Sequence, residues 1–269
     1  MKAAPGTIVR SDEAGSTIAG NGDRIRRFVG SKGAEGVWQR IISEMPPHTL
    51  YVEAFAGTAQ VLLRKRPAQA SIAIESDAAV CAALKSSLAA SLATNGDAAG
   101  GVTVICADAV AWLEKHRGKF DAQTVVYCDP PYLFETRSDP SRRYYDHEFG
   151  EEWLHGELLA VLSRLSTQDV RVLISGYRHP LYDRMLAGWR RIDYRTATRG
   201  RTVIESLWCN FPEPAELHDY RFLGADFRER ERLKRKKARW LAKLRKMSRL
   251  ESAAVLAAID EWRLDIPDV

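Results

Sequence analysis

Between Asp23 and Phe211, short apolar runs of β-type residues alternate with stretches of helical pattern, and no other feature constrains the fold as much. A chain that repeats strand, helix and strand in this way is typical of a mostly parallel sheet covered by helices on both faces. The predicted strands are TLYVEAF (49–55), ASIAIE (70–75), VTVICAD (102–108), TVVYCD (124–129), VRVLISG (170–176) and VIESLWCNF (203–211). The predicted helices cover roughly Val37–Met45, Ala59–Lys65, Ala78–Leu92, Ala109–Lys115, Glu151–Leu165 and Pro180–Leu186. In such sheets ligands bind beyond the carboxyl ends of the strands, so the residues that follow these runs are the first candidates for a site.

The pattern divides the chain into three predicted parts. Residues 1–23 are rich in Gly, Ser, Ala and Asp without periodicity, which predicts a mobile tail. Residues 24–216 form the predicted α/β domain, and residues 217–269 a helical extension. Within that extension Ser248-Arg-Leu-Glu251 is a capping-box pattern, which predicts a second helix that continues through Trp262. The apolar side of the preceding helix consists of Leu233, Trp240, Leu241, Leu244 and Met247.

Positive charge is concentrated in this extension. The segment from Arg228 to Arg249 holds twelve Lys and Arg residues against two Glu, a local excess of +10, while the other 247 residues sum to −5. A neutral-to-acidic body that carries one basic segment favours a polyanionic partner such as nucleic acid. A solvated surface helix is the alternative interpretation.

Composition and spacing exclude several other classes. No stretch approaches the roughly 20 uncharged apolar residues that span a bilayer, and no apolar core follows the N-terminal basic residue as in a secretory signal. The four cysteines, Cys81, Cys106, Cys128 and Cys209, form no CxxC pair, which argues against a zinc site or a disulfide framework. We therefore expect a cytoplasmic protein without a metal or a membrane partner. The oligomeric state is left open.

A first candidate site lies where the strand of residues 49–55 runs into a helix. Gly57 in the sequence EAFAGTA (53–59) lets the backbone approach a ligand, and the following helix N-terminus offers free N–H groups. The next predicted strand ends in Glu75, a position from which a carboxylate accepts hydrogen bonds from the ribose of a bound nucleoside. Taken alone, Glu75 is equally well interpreted as a surface carboxylate.

A second and more specific candidate is the tetrapeptide Asp129-Pro130-Pro131-Tyr132, which follows the strand VVYC. Two prolines end the strand and stiffen the turn, so the Asp129 carboxylate and the Pro130 carbonyl are fixed in direction. Two acceptors beside an aromatic ring match a planar amine such as the exocyclic group of adenine. A purely structural turn is the alternative, and the position at the end of a middle strand counts against it.

With these motifs in place, the chain resembles the Dam-like (alpha-class) N6-adenine DNA methyltransferases, especially the short phage and prophage type, from about Phe28 to Phe211. The resemblance implies a Rossmann-like fold and S-adenosyl-L-methionine as the cofactor. The segment FVGSKG (28–33), with Phe28 and Lys32, is similar to the family's N-terminal cofactor-contacting element. Glu53, Phe55, Ala56 and Gly57 match the family's loop around the methionine part of the cofactor. Glu75 matches its ribose-binding acid, and Asp108 matches the acid that borders the cofactor's adenine ring.

The family's catalytic motif is matched by Asp129, Pro130, Pro131 and Tyr132, with Asp129 also near the cofactor. Downstream, LFETR (133–137), Tyr144-Tyr145, ISGY (174–177) and ESLWCN (205–210) resemble the pattern of the phage enzymes. The resemblance implies that the target adenine is flipped out of duplex DNA into a pocket, where Tyr132 stacks on it and Asp129 and the Pro130 carbonyl accept its N6 hydrogens.

The chain departs from the family in its cofactor loop and in its length. Ala54 stands where the family usually has proline, and Thr58 and Ala59 stand where glycine is common. Asp108 and Asp129 are only twenty-one positions apart, which leaves no room for the usual target-recognition insertion. We therefore predict relaxed or very short sequence specificity, because phosphate contacts give affinity without much sequence choice. The predicted nucleic-acid contacts are Arg137, Arg142 and Arg143 beside the channel and Lys234, Arg235, Lys236, Lys237 and Arg239 in the basic segment.

Three alternatives remain. The first keeps the enzyme and changes the substrate to an adenine in RNA or to cytosine N4. The second is a nucleic-acid-binding protein that has lost catalysis, suggested by Thr58 and Ala59, although a binder has no need to retain Lys32, Asp129 and Tyr132 together. The third is a structural α/β protein with an accidental DPPY sequence. A protein glutamine substrate is disfavoured, because the enzymes that methylate it usually carry Asn in place of Asp129.

Overall fold

The computed structural model describes residues 32, 36–95, 101–137, 141, 148–198 and 201–265. Three predicted site residues, Phe28, Arg142 and Arg143, lie outside the described residues, as does the predicted N-terminal tail 1–23.

The described residues form a seven-stranded sheet with the order β3-β2-β1-β4-β5-β7-β6. The first five strands are parallel to one another, while β7 is antiparallel to both β5 and β6. The strands are β1 Leu50–Ala54, β2 Ala70–Glu75, β3 Gly101–Cys106, β4 Thr124–Cys128, β5 Arg171–Gly176, β6 Arg190–Thr198 and β7 Arg201–Cys209. The predicted Rossmann-like α/β fold with a mostly parallel sheet is confirmed.

The strand order reverses between β1 and β4. The chain first moves outward from β1 through β2 to β3, and then returns to place β4 on the other side of β1. Open α/β sheets bind ligands at such a switch point, beyond the carboxyl ends of the strands. Glu53 lies near the end of β1, and the loop after it meets Asp129, which follows β4, at this edge because Ala54 pairs directly with Cys128.

Helices cover both faces of the sheet. They are α1 Val37–Ile42, α2 Gln60–Arg64, α3 Ala78–Asn95, α4 Ala109–His116, α5 Glu152–Ser166, α6 Pro180–Met185, α7 Phe227–Leu244 and α8 Arg249–Leu264. Side chains of β4 alternate between the two cores, because successive residues of a strand point to opposite faces. Val126 and Cys128 pack in the core that includes residues of α4, α5 and α6, whereas Val125 and Tyr127 pack in the core that includes residues of α1, α2 and α3.

The sequence analysis predicts no strand at β6, and the structure places one there. Arg191, Asp193 and Arg195 are exposed, whereas the residues between them, Ile192 and Tyr194, are partly buried. The strand therefore has one polar and one apolar face at the edge of the sheet, where charged side chains also discourage pairing with other chains. The six predicted strands are present, with ends that differ from the prediction by at most two residues.

The C-terminal extension is helical, as its pattern predicts. The Ser248 side chain accepts a hydrogen bond from the Glu251 N–H, and the Glu251 side chain accepts one from the Ser248 N–H, so the predicted capping box starts α8. None of the side chains described in α7 and α8 is buried. Across the described residues, no helix combines the length and the apolar character needed to cross a membrane.

Candidate active site

Asp129 lies directly beyond the end of β4, the middle strand of the sheet. Its N–H donates to the Ala54 carbonyl at 3.4 Å, which extends the pairing of β4 with β1 by one residue before the two prolines end it. The Pro131 carbonyl is held from the other side by His155 of α5, whose Nε2 lies 3.1 Å away. The His155 Nδ1 in turn lies 2.7 Å from the Tyr182 hydroxyl. The turn that carries Asp129 is thus fixed by strand pairing at one end and by a buried histidine at the other.

A buried ammonium group faces the Asp129 carboxylate. Lys32 Nζ lies 3.0 Å from Asp129 Oδ1 and 3.1 Å from Glu205 Oε2, and it also donates to the Tyr132 hydroxyl. Lys32 is 5% exposed, so these partners replace water around its charge. The structure therefore brings together Lys32, Asp129 and Tyr132, three residues that the resemblance implies for one site.

Burial and charge set the protonation of this group. Burial raises the pKa of Asp129 from its ordinary value of 3.8 to about 6, although the neighbouring Lys32 ammonium opposes the rise. Burial lowers the pKa of Lys32, but the carboxylates of Asp129 and Glu205 outweigh it and hold that pKa well above its ordinary range. At neutral pH the site therefore contains an ionised Asp129 and a charged Lys32.

Two tyrosine rings pack against each other near Asp129. The Tyr132 ring lies 4.5 Å from the Tyr177 ring, between centroids, with an angle of 59° between the ring planes. Lys32 Nζ lies 4.8 Å from the centre of the Tyr132 ring. Tyr177 follows β5, the neighbour of β4, so both rings extend from the same edge of the sheet. An aromatic surface here suits a flat ligand.

The loop between β1 and α2 has an unusual backbone. Phe55, Gly57 and Ala59 all have positive φ angles, of 57°, 51° and 48°. The Gly57 N–H donates to Glu75 Oε2 at 2.8 Å, while Glu75 Oε1 accepts from the Ser76 and Asp77 N–H groups. A side chain added at Gly57 would meet nothing within 4 Å, so open space borders the loop there. Glu75 Oε2 accepts this one bond and retains acceptor capacity for a hydroxyl.

Three other predicted cofactor residues have structural contacts. Glu53 is 3% exposed, and its Oε2 accepts from the Tyr51 hydroxyl and from the Leu62 N–H of α2. Burial raises the pKa of Glu53 to about 7, against the effect of these two hydrogen bonds. Asp108 caps α4 by accepting from the Ala111 N–H at 2.8 Å. Ala56 is buried, and its N–H donates to the Ile74 carbonyl of β2.

Arg137 does not point freely into a channel. Its side chain is 6% exposed and makes a bidentate ion pair with Glu148, in which Nη1 lies 3.1 Å from Oε1 and Nη2 lies 2.6 Å from Oε2. Its Nε donates to the Tyr132 carbonyl at 2.9 Å. Arg137 thus stabilises the backbone of the DPPY turn through the Tyr132 carbonyl.

The predicted contacts in the basic segment lie on α7. All five, Lys234, Arg235, Lys236, Lys237 and Arg239, are exposed. Two of them make local contacts, since Lys237 donates to the Tyr220 carbonyl and Lys234 pairs with Glu231. Exposed ammonium and guanidinium groups on one helix provide a surface that attracts polyanions.

The described residues contain no group of three or more His, Cys, Asp or Glu side chains placed to hold a metal ion. The groups gathered at the edge of the sheet are instead carboxylates, one ammonium and aromatic rings. Side chains of these types are able to bind and orient an organic molecule and to tune its charge.

Glu205 and Tyr194 belong to this site, although the sequence analysis assigns them no role. Glu205 lies on β7 and is 6% exposed, and its Oε2 accepts from the Tyr194 hydroxyl at 3.0 Å. Tyr194 lies on β6, the strand that the sequence pattern missed. The alternation of Arg191, Asp193 and Arg195 with apolar residues is the signal that identifies this strand.

Fold and site together define a Rossmann-like α/β domain with an acidic and aromatic site at its switch point. No protein-family model and no curated protein sequence matches the chain. Solved structures do match it. The M1A22 tRNA methyltransferase TrmK of B. subtilis is 14% identical with a TM-score of 0.43, over 88% of this chain and 89% of that chain. A SAM-dependent methyltransferase from Agrobacterium tumefaciens is 13% identical with a TM-score of 0.42, over 64% of this chain and 58% of that chain.

A third match is the magnesium protoporphyrin IX methyltransferase of Synechocystis, which was crystallised with bound SAM. It is 14% identical with a TM-score of 0.39, over 65% of this chain and 75% of that chain. The first of the three is named for a tRNA substrate and the third for a porphyrin, whereas the name of the second gives no particular substrate. At such identities the likeness concerns the fold class alone, and function has to be argued from this chain's own residues.

Proposed function

We propose that this protein is an S-adenosyl-L-methionine-dependent methyltransferase that methylates the N6 amine of adenine in DNA, with relaxed or short sequence specificity. The observation that carries the proposal is the ionised Asp129 carboxylate at the switch point, held 3.0 Å from Lys32 and beside the Tyr132 ring. The family resemblance of residues 28–211 supports the choice of adenine and of DNA.

The residues at the edge of the sheet fit the cofactor. Open space at Gly57 admits the cofactor's chain close to the backbone, and Glu75 Oε2 has acceptor capacity for a ribose hydroxyl. Asp108, at the carboxyl end of the neighbouring β3, borders the region where the adenine ring of the cofactor would lie. Bound here, the cofactor supplies a methyl group activated by a sulfonium. The protein's own task is positioning and electrostatics.

Asp129 would increase the nucleophilicity of the adenine N6 amine, which is a weak nucleophile by itself. The lone pair of an adenine amine is delocalised into the ring, and a hydrogen bond from N6–H to a carboxylate pulls electron density back toward nitrogen. With a pKa of about 6, Asp129 is ionised at neutral pH and acts as an acceptor. Tyr132 and Tyr177 offer ring surface for the base, which offsets part of the few kcal/mol needed to unstack it from a duplex.

The charge of the site favours the same reaction. Lys32 contributes one positive charge, and Asp129 and Glu205 contribute two negative charges, so the buried group carries a net charge of −1. Methyl transfer from a bound sulfonium would develop positive charge on the amine nitrogen of the substrate. A fixed anionic environment stabilises that charge without reorganisation.

The basic helix α7 supports a nucleic-acid substrate. It holds nine Lys and Arg residues against two Glu over 18 residues, and the five residues singled out from the sequence are exposed. Phosphate contacts from such a helix give affinity and salt dependence but little base readout. No target-recognition insertion fits between Glu75 and Asp129.

The proposal is tested by incubating the protein with S-adenosylmethionine and unmethylated plasmid DNA, followed by digestion to nucleosides and mass spectrometry. We expect N6-methyladenine from the wild type, at least a hundredfold less from Asp129→Asn, and unchanged yield from the exposed control Asp260→Asn. A yield larger than any four-base site holds supports relaxed specificity, whereas a small saturating yield indicates a sequence-specific enzyme.

The same digest distinguishes the alternatives. N4-methylcytosine in place of N6-methyladenine would transfer the proposal to cytosine. Product in a parallel reaction with RNA, and none with DNA, would transfer it to RNA. No product with either nucleic acid would contradict the proposed activity.

A further inference from the structure

A second buried carboxylate shares the Lys32 ammonium with Asp129. Glu205 Oε2 and Asp129 Oδ1 lie 3.1 and 3.0 Å from the same Nζ atom, which places the two carboxylate oxygens within about 6 Å of each other. They come from different strands, since Glu205 lies on β7 and Asp129 follows β4, with β5 between them. Glu205 is buried and the Asp129 side chain is 17% exposed, so water screens their interaction only partly.

Tyr194 of β6 fixes Glu205 in this position. Its hydroxyl donates to Glu205 Oε2 at 3.0 Å, so the oxygen that contacts Lys32 also accepts a second hydrogen bond. Tyr194 pairs directly with Glu205 across the antiparallel strands β6 and β7. The sheet itself therefore holds the carboxylate toward Lys32.

We propose that Glu205 is a positioning residue, which shares the Lys32 ammonium with Asp129 so that Asp129 remains a strong hydrogen-bond acceptor for the substrate amine. An exclusive ion pair with Lys32 would withdraw charge from the carboxylate that has to polarise N6–H. The shared ammonium instead orients both carboxylates and neutralises neither fully. This inference rests on the proposed function, because it assigns Asp129 its role toward an amine.

The alternative is that Glu205 only holds Lys32 in place. The two roles predict opposite changes at Asp129 when the charge of Glu205 is removed. If Glu205 competes for Lys32, its loss leaves Lys32 to Asp129 alone, and the pKa of Asp129 falls. If Glu205 merely anchors Lys32, its loss releases the ammonium from Asp129, and the pKa of Asp129 rises.

Other groups that face Asp129 stay constant in this comparison. Burial raises the pKa values of the nearby tyrosines above 10, which keeps them neutral below pH 9, and it also raises that of the Cys128 thiol. Those tyrosines are Tyr51, Tyr127, Tyr132, Tyr177, Tyr182 and Tyr194. Among the described residues, Glu53, with a pKa of about 7, is a further carboxyl group near Asp129, and it is present in every variant.

The test is the pH profile of kcat/KM for methyl transfer in the wild type and in Glu205→Gln, between pH 4.5 and 9. The acidic limb of this profile includes the ionisation of Asp129 in the free enzyme, together with any contribution of Glu53, which is the same residue in both proteins. We expect the limb to move down by about one pH unit in Glu205→Gln, with a roughly tenfold lower kcat above pH 7 and an unchanged KM for S-adenosylmethionine. An unmoved limb, or a limb that moves to higher pH, overturns the proposal.

Two further variants separate charge from structure. Tyr194→Phe removes a hydrogen bond to Glu205 without changing its charge, so its limb stays within about 0.3 pH units of the wild type. Glu205→Asp keeps the charge but moves it away by about one methylene, so its limb lies between those of the wild type and Glu205→Gln. If Glu205→Gln does not fold, the shift of the acidic limb is measured with Glu205→Asp instead. A limb for Glu205→Asp that lies at or above that of the wild type contradicts the proposal.

A measurement without catalysis distinguishes this inference from the proposed function. The carboxyl carbon of Asp129 is followed by NMR in protein labelled with ¹³C at aspartate, with Asp129→Asn used for assignment. A lower pKa for Asp129 in Glu205→Gln supports the shared ammonium even if the wild type methylates no nucleic acid, which would contradict the proposed function alone. An equal or higher pKa overturns the inference even if the wild type is active.

Discussion

At the scale of single residues, Glu53 shows how burial of a carboxyl group affects both stability and the site. Its side chain supports α2 through the Leu62 N–H and lies near Asp129, yet it is 3% exposed. Burial raises its pKa from 4.5 to about 7. Because the folded pKa is above the unfolded one, the stabilisation that this group provides is complete below pH 4.5 and is lost as the pH rises through 7.

We therefore predict that Glu53→Gln changes stability in a pH-dependent way. The free energy of unfolding of the variant, relative to the wild type, should rise by about 3 kcal/mol between pH 4.5 and pH 8.5, because glutamine carries no charge to desolvate. Urea denaturation at several pH values measures this difference. Glu152→Gln, on the exposed start of α5, is the matched control and should give a flat difference. A flat difference for Glu53→Gln as well would contradict the raised pKa.

At the scale of elements, the loop that begins α2 holds both glycine and L-residues in the left-handed region, at Phe55, Gly57 and Ala59. Ala59, at φ 48°, is the N-cap of α2, and Gly57, at φ 51°, borders open space. A left-handed conformation costs an L-residue roughly 1–2 kcal/mol, whereas glycine adopts it freely at an entropic cost of roughly 0.5–1 kcal/mol. Ala59, which stands where the resembled family commonly has glycine, is thus a strained position.

Paired substitutions in this loop should have opposite effects. Ala59→Gly should raise the free energy of unfolding by about 0.5 kcal/mol, and Gly57→Ala should lower it by about 0.5–1 kcal/mol, because only the first relieves a left-handed L-residue. Gly57→Ala should also weaken S-adenosylmethionine binding, since the added methyl group enters the open space beside the loop. Thermal unfolding and calorimetric titration with the cofactor measure the two effects. Destabilisation by Ala59→Gly would contradict the assigned backbone.

The elements that sequence reasoning identified are those whose pattern is local. Buried parallel strands such as TVVYC are apolar along their whole length, and the observed β4, Thr124–Cys128, ends one residue before the predicted end. Strand β6 was missed because Arg190, Arg191, Asp193 and Arg195 dominate its composition, while its apolar residues appear only at every second position.

The candidate site was predictable where a single motif contains it. Asp129 and Tyr132 lie in one tetrapeptide, and the structure places both beside Lys32. The pairing of Lys32 with Glu205 joins residues 173 positions apart, and Tyr194 reaches Glu205 only because β6 pairs with β7. Such convergence depends on the strand order and register of the sheet, which no local pattern specifies.

At the scale of the whole molecule, charge and burial both distinguish the C-terminal helices α7 and α8 from the sheet and the helices that cover it. The sheet and its helices contain the buried side chains, whereas none of the side chains described in α7 and α8 is buried. The segment from Arg228 to Arg249 holds an excess of ten positive charges over a remainder of −5. Because the rest of the chain is acidic overall, we expect its affinity for a polyanion to come mainly from this basic segment.

This division predicts which residues control the salt dependence of binding. Replacing Lys234, Arg235, Lys236, Lys237 and Arg239 by glutamine should weaken binding to DNA. It should also reduce the slope of log K against log salt by up to about 4.5 units, because each of the five lost phosphate contacts removes about 0.9 from the slope. Fluorescence anisotropy with a labelled duplex between 50 and 300 mM salt measures the slope. Deleting residues 228–269 should have at least the same effect.

A matched control locates the effect in α7. Lys115 and Lys119 are exposed basic residues outside the extension, and their replacement by glutamine should leave the slope almost unchanged. The Asp129→Asn variant should bind with the wild-type slope, because its site contributes to base positioning rather than to phosphate contacts. If the α7 variant instead binds as tightly as the wild type with the same slope, residues outside α7 hold the DNA. In that case α7 is a solvated surface helix, the alternative interpretation of its charge.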